Sequence, residues 1–173
     1  MDTTKPIVNR VAQSPLITLD LETFFPKQEE ISVIDLKDFL FKGLLLREAD
    51  FREAVKKMDW SQFKDKYVVI HCSTDAIIPM WAYMVLSSEL SNYAIDIASS
   101  KPEHADEIFL YRNIAKLDMA AFKNQRIVIK GCGDRKIPEA AFVQITQQLS
   151  KVARSLMYGE PCSTVPVFKK SID

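Results

Sequence analysis

One pattern is written twice in this chain, and it restricts the fold more than any other feature. Tyr67-Val68-Val69-Ile70 runs through His71-Cys72-Ser73-Thr74-Asp75 into Ile78-Pro79-Met80-Trp81-Ala82-Tyr83. Arg126-Ile127-Val128-Ile129 runs through Lys130-Gly131-Cys132-Gly133-Asp134 into Ile137-Pro138-Glu139-Ala140-Ala141-Phe142. Aligned with a single-residue gap, both read as apolar strand, Cys, small residue, Asp, Ile-Pro, Ala, aromatic. A short β-branched run between turn signals reads as a buried strand. Small residues let a strand turn sharply, and Pro is tolerated in a first helical turn because its missing N–H had no partner there. An Asp ahead of that turn is a natural cap. Strand–turn–helix units in alternation predict an α/β fold: a mainly parallel sheet with helices on both faces. Both cysteine turns then lie at the carboxyl ends of their strands, where open α/β sheets bind ligands.

The remaining periodicities fit this scheme. Ile17-Thr18-Leu19-Asp20-Leu21 and Ile31-Ser32-Val33-Ile34-Asp35 predict strands. Leu36, Phe39, Leu40 and Leu44 have helical spacing, which predicts a short helix over 36–43. Residues 47–57 predict an amphipathic helix with Phe51, Ala54 and Val55 on its apolar face. Further helices are predicted over 79–90, whose apolar residues run almost all round and predict burial, and over 102–115, 118–122 and 138–158, with further strands over 94–98 and 166–168. In the longest of these helices Phe142, Ile145, Leu149, Val152 and Leu156 lie three or four apart. No linker or low-complexity stretch interrupts the 173 residues. The expectation is one α/β domain over 1–173, with residues 1–60 as an extended and helical front section packed on it.

Lys+Arg and Asp+Glu both number 23, so the net charge is zero. Nucleic-acid surfaces carry a basic excess or stripe, and no nucleic-acid partner is expected. No apolar run reaches the ~18–20 residues of a membrane span. Met1-Asp2-Thr3-Thr4-Lys5 lacks the layout of a secretory leader. These readings predict a cytoplasmic protein without a membrane partner. The apolar front section would serve a homo-oligomer as well as an internal core.

Chemical promise is confined to the three cysteines, Cys72, Cys132 and Cys162, the last in Gly159-Glu160-Pro161-Cys162-Ser163-Thr164. Their odd number and a reducing compartment oppose a disulfide framework. A helix N-terminus stabilises anions, so a thiol beside one loses its proton more readily. Three readings follow. In the first, the three thiolates converge on a zinc ion or an iron–sulfur cluster, leaving one position for water, substrate or a fourth residue such as His71, Asp75 or Asp134. In the second, Cys132 is a reactive thiol without metal. In the third, the cysteines pack as small hydrophobes in a non-enzymatic binding or scaffold module. His71 is either a base or a structural histidine, and Asp75 and Asp134 are expected to cap the helices that follow them. Gly131-Cys132-Gly133 lacks the later glycine of a dinucleotide fingerprint, and Walker A, nucleophile-elbow and HExxH motifs are absent, so no nucleotide cofactor is expected.

Val8-Asn9-Arg10-Val11-Ala12, Ile17–Leu21, the Cys72–Tyr83 turn, Lys130–Asp134 and Gly159–Pro166 together resemble the bacterial domain-of-unknown-function family 2480 over nearly the whole chain. The resemblance assigns no catalytic role to any residue. It implies an accessory role beside iron–sulfur assembly proteins, whose genes neighbour those of the family.

Overall fold

Two β-branched triplets, Val68-Val69-Ile70 and Ile127-Val128-Ile129, are buried in full, and each lies at the centre of a parallel sheet. Strands covered on both faces read as unbroken apolar runs. The computed structural model describes residues 16–131, 133–160 and 163–171. In chain order these form β1 (Leu16–Leu19), β2 (Ile31–Asp35), β3 (Leu40–Phe41), β4 (Leu45–Leu46), α1 (Glu48–Lys57), β5 (Tyr67–His71) and α2 (Met80–Leu90). Then follow β6 (Asp96–Ser99), α3 (Ala105–Ala115), β7 (Arg126–Ile129), α4 (Glu139–Leu149), β8 (Ser155–Glu160) and β9 (Ser163–Lys169). The α/β class and the mainly parallel pairing hold, and the described strands divide between one parallel sheet, one mainly parallel sheet and a small hairpin.

The chain forms two compact units. The insert unit runs from Phe25 to Leu110; the flanking unit takes the described residues up to Phe24 and from Tyr111 onward. In the insert unit β2, β5 and β6 pair in parallel. One face of this sheet offers Ile34, Val68 and Ile70 to a core completed by Phe51 and Val55 of α1 and Ala82, Leu86 and Leu90 of α2. On the other face Val69 and Ala98 pack with Ala105 and Phe109. Burying each of these large side chains contributes about 1.5–3 kcal/mol. In the flanking unit the order is β1-β7-β8-β9, the first three parallel and β9 antiparallel to β8.

The two units are copies of one arrangement. Pro79 and Pro138, 59 positions apart, each precede an eleven-residue helix. At the same offset Asp59 and Asp118 cap the 3-10 turns Trp60–Phe63 and Met119–Phe122. Asp65 and Asn124 both take the left-handed conformation at φ 58° ahead of the central strand, a region that Asp and Asn tolerate better than most side chains. The helix exits match too: Ala94 N–H donates to Leu90 O and Ala153 N–H to Leu149 O, both at 2.8 Å. The first strands repeat at an offset of 15, since Leu19-Asp20-Leu21 and Ile34-Asp35-Leu36 each end a strand and enter a 3-10 turn. The flanking unit is thus the second copy, with its first strand set ahead of the whole insert.

Three predicted elements are corrected. Residues 36–43 are not a helix: Leu36–Phe39 is a 3-10 turn capped by Asp35, and Leu40-Phe41 then pairs with Leu45-Leu46. Left-handed Lys42 and Gly43 close that hairpin, as tight β-hairpins favour. The helix predicted over 138–158 ends at Leu149, and Leu156 belongs to β8. Helix 79–90 is not covered all round, since Met80 and Met84 are each 70% exposed. The register also removes the gap between the cysteine turns. At the constant offset of 59 the position matching Cys72 is Gly131.

Candidate functional site

Each sheet ends, at its carboxyl edge, in an aspartate that ties the first strand to the central one. Asp35 Oδ1 accepts from the N–H groups of Lys37 and Ser73, both at 3.0 Å. Its other oxygen lies 3.3 Å from Lys37 Nζ and 3.7 Å from His71 Nε2. Burial alone would raise the Asp35 carboxyl, but donation from Ser73 and Lys37 outweighs it and holds the group well below the ordinary carboxylate range. At the equivalent place Asp20 Oδ1 accepts from Glu22 N–H at 3.0 Å, and Oδ2 receives Lys130 Nζ at 2.8 Å. The hydrogen bond from Lys130 lowers the Asp20 carboxyl, and the same bond raises the lysine.

The copies diverge in the loop after the central strand. In the flanking unit this loop borders a cavity of about 810 Å³. Ile129, Ile137, Phe142, Tyr158 and Val167 supply apolar wall, and Arg135, Lys136 and Glu139 supply charge. The loop is held from two sides. The Glu22 carboxylate accepts from Arg135 N–H, and it leaves no room for a side chain at Gly133. Tyr158 OH donates to Gly131 O at 3.4 Å, and a Cβ on Gly131 would meet the Tyr158 ring at 2.5 Å. Tyr158 in turn meets Phe142 edge to face at 5.7 Å between centroids. Such aromatic pairs add roughly 0.5–1.5 kcal/mol beyond burial. An apolar cleft with a few charged groups at its mouth is the usual form of a small-molecule site.

The residues singled out in the sequence fall in different places. Cys72 is half-buried against the core of the insert unit, its Sγ 3.3 Å from Thr74 Oγ1. Burial raises the Tyr83 hydroxyl, and the charge of Cys72 adds to the effect. His71 closes β5 beside Asp35. Cys132 and Cys162 lie outside the described residues, although Gly131 and Gly133, either side of Cys132, both line the cavity. Among the described residues no group of three His, Cys, Asp or Glu side chains is arranged to hold a metal. Asp75 and Asp134 are exposed, and neither caps the following helix: Pro79 and Pro138 hold the cap positions, without a side-chain hydrogen bond. The capping aspartates are instead Asp35, Asp59 and Asp118, each accepting from the N–H two residues on.

Sequence reasoning missed Glu22 and Tyr158, the two clamps of the loop. They lie far from it along the chain, and no local spacing marks them. The Asp-Leu-x-x-Phe repeat in Asp20–Phe24 and Asp35–Phe39 was a usable signal for the aspartates.

A family model described as Protein of unknown function (DUF2480) matches residues 5–170. No curated protein and no solved structure matches the chain.

Proposed function

The chain belongs to domain-of-unknown-function family 2480, and we propose that it is a non-enzymatic binding module whose ligand occupies the cavity beside Gly131 and Gly133. The observation that carries this reading is the cavity itself, with Phe142 and Tyr158 in its wall and Arg135 and Lys136 at its loop. Aromatic and aliphatic walls take an apolar body, and the cations orient an anionic group on it. The ligand class is a small amphipathic anion. The aromatic sulfonate 8-anilinonaphthalene-1-sulfonate has this chemistry and serves as the probe. Its fluorescence titration should weaken about tenfold in Phe142→Ala and in Lys136→Glu, a loss of ~1.4 kcal/mol each. Unchanged titrations in both variants would sink the reading.

A second reading keeps Cys72, Cys132 and Cys162 as thiolate ligands of zinc or an iron–sulfur cluster, with iron–sulfur assembly proteins as partners in the cytoplasm. It is favoured by the approach of the segments bracketing two of the cysteines. Tyr158 of β8 touches Gly131, the charge of Glu160 acts on Lys130, and Glu160 pairs with Ser163. Among the described residues no helix is long and apolar enough to cross a membrane. Metal analysis after anaerobic purification tests this reading. Wild-type protein with neither zinc nor iron, and no cluster after reconstitution, counts against it. If metal is absent, the alkylation rate of Cys132 against pH decides between a reactive and an inert thiol, since an ordinary thiol titrates near ~8.5.

A further inference from the structure

The flanking unit has a second concave site, formed by the residues at the start of β7, the start of β8 and the end of β9. It is a cleft of about 340 Å³ lined by Arg126, Arg154, Lys169, Ser155, Met157 and Phe168 among others. The sheet register sets the positions of these groups. Arg126 pairs with Ser155, and Ser155 pairs with Lys169. One row across three strands therefore reads Arg-Ser-Lys. Residues paired in a row share a face of the sheet, and strands lie ~4.8 Å apart, so the two cations stand roughly 10 Å apart at their Cα atoms with a hydroxyl between them. Arg154, one residue before β8, lines the same cleft, and its backbone is pinned on both sides. Its N–H donates to Gln125 O at 2.8 Å, and its carbonyl accepts from Lys170 N–H at 2.9 Å.

Three cations line this small cleft, and no carboxylate is among its described lining residues. Like charges in neighbouring rows of a sheet repel, and the fold does not require them here. Fifty-nine positions earlier, in the insert unit, Tyr67 stands for Arg126, Ile95 for Arg154 and Asp96 for Ser155, and among the described residues the β2-β5-β6 sheet has no strand matching β9, which carries Lys169. None of the three is basic. The cationic cleft is therefore a property of the second copy and not of the shared architecture.

We infer that this cleft binds a small molecule carrying a phosphate group, independently of the cavity at the opposite ends of the same strands. The guanidinium fork matches phosphate oxygens in pairs. Lys169 adds a point charge and Ser155 a hydroxyl donor. Met157, Pro166 and Phe168 offer apolar surface to the rest of the molecule.

Phenyl phosphate is the probe, titrated into the full chain by calorimetry, with benzoate as the second arm. Phenyl phosphate should bind more tightly than benzoate, and high salt should weaken it. Arg154→Gln and Lys169→Gln should each raise its Kd about tenfold, while Phe142→Ala, in the other cavity, leaves it unchanged. Arg154 and Lys169 are exposed, so both variants should keep the wild-type Tm, and that is measured alongside. Absence of phenyl phosphate binding at millimolar concentration, or a Kd in both variants equal to that of the wild type, overturns the site. Tighter binding of benzoate overturns the phosphate assignment.

Discussion

Replacing Asp35 by Ala tests whether the aspartate at the carboxyl edge holds the insert unit together. The substitution removes the cap on the 3-10 turn Leu36–Phe39, worth about 0.5–2 kcal/mol. It also removes the charge-assisted bond from Ser73 N–H, worth about 1.5–3 kcal/mol when buried and less here because Ser73 is exposed. The contact with Lys37 is largely solvated and adds little. The sum is about 2–3 kcal/mol at pH 7. Both tryptophans, Trp60 and Trp81, lie in the insert unit, so urea unfolding followed by their fluorescence reports this unit alone. With a slope of ~1–3 kcal/mol/M the midpoint should fall by about 1 M or more. The sign with pH follows from the lowered carboxyl. The folded state resists protonation of Asp35 and the unfolded state does not. The contribution is therefore complete above the ordinary Asp value of ~3.9 and drains away as pH falls below it. The gap between wild type and Asp35→Ala should stay constant from neutral pH to about 5 and narrow below 4. A gap under about 0.5 kcal/mol at pH 7, or one that does not narrow in acid, would refute the reasoning.

Other outcomes follow from the duplication. Leu86→Ala and Ile145→Ala truncate equivalent, fully buried helix positions and should each cost about 2–5 kcal/mol; calorimetry reads both, but only Leu86→Ala should shift the tryptophan-detected midpoint. Gly131→Ala places a methyl against the Tyr158 ring and should weaken the aromatic sulfonate probe at least as much as Phe142→Ala, with little effect on phenyl phosphate. A fragment of residues 25–110 contains every strand of its own parallel sheet and should fold alone with a cooperative tryptophan transition, whereas a non-cooperative transition would show that the unit needs the rest of the chain.

Much of this fold is legible from local signals. The β-branched triplets, the Ile-Pro helix starts and the amphipathic stretch at 48–57 each announce their element. The longest helix was misread because Leu156 keeps helical spacing after Leu149, and periodicity does not register where a chain turns back to its sheet. The exit is nevertheless written twice, as Leu90-Ser91-Asn92-Tyr93-Ala94 and Leu149-Ser150-Lys151-Val152-Ala153. Matching the cysteines to each other inserted a gap that hid this second repeat. The site is less legible. Phe142 and Lys136 sit near the marked turn, but Tyr158 reaches it only through the register of β7 with β8, and Glu22 only through that of β1 with β7.

The interleaving of the copies also orders their assembly. In the insert unit Ile31 pairs with Tyr67, 36 positions on, and Tyr67 with Asp96, 29 positions on. In the flanking unit Arg126 pairs with Ser155, also 29 positions on, but Leu16 must find Arg126 across 110 positions. Closing the longer loop costs about 1 kcal/mol more in chain entropy than closing the 36-residue one, and distant pairings form later in folding. β1 is therefore expected to join its sheet last. The same segment brings Asp20 to Lys130 and Glu22 to Arg135 N–H. The clamp on the cavity loop thus arrives with the final strand, so the cavity takes its finished shape only once the second copy is complete.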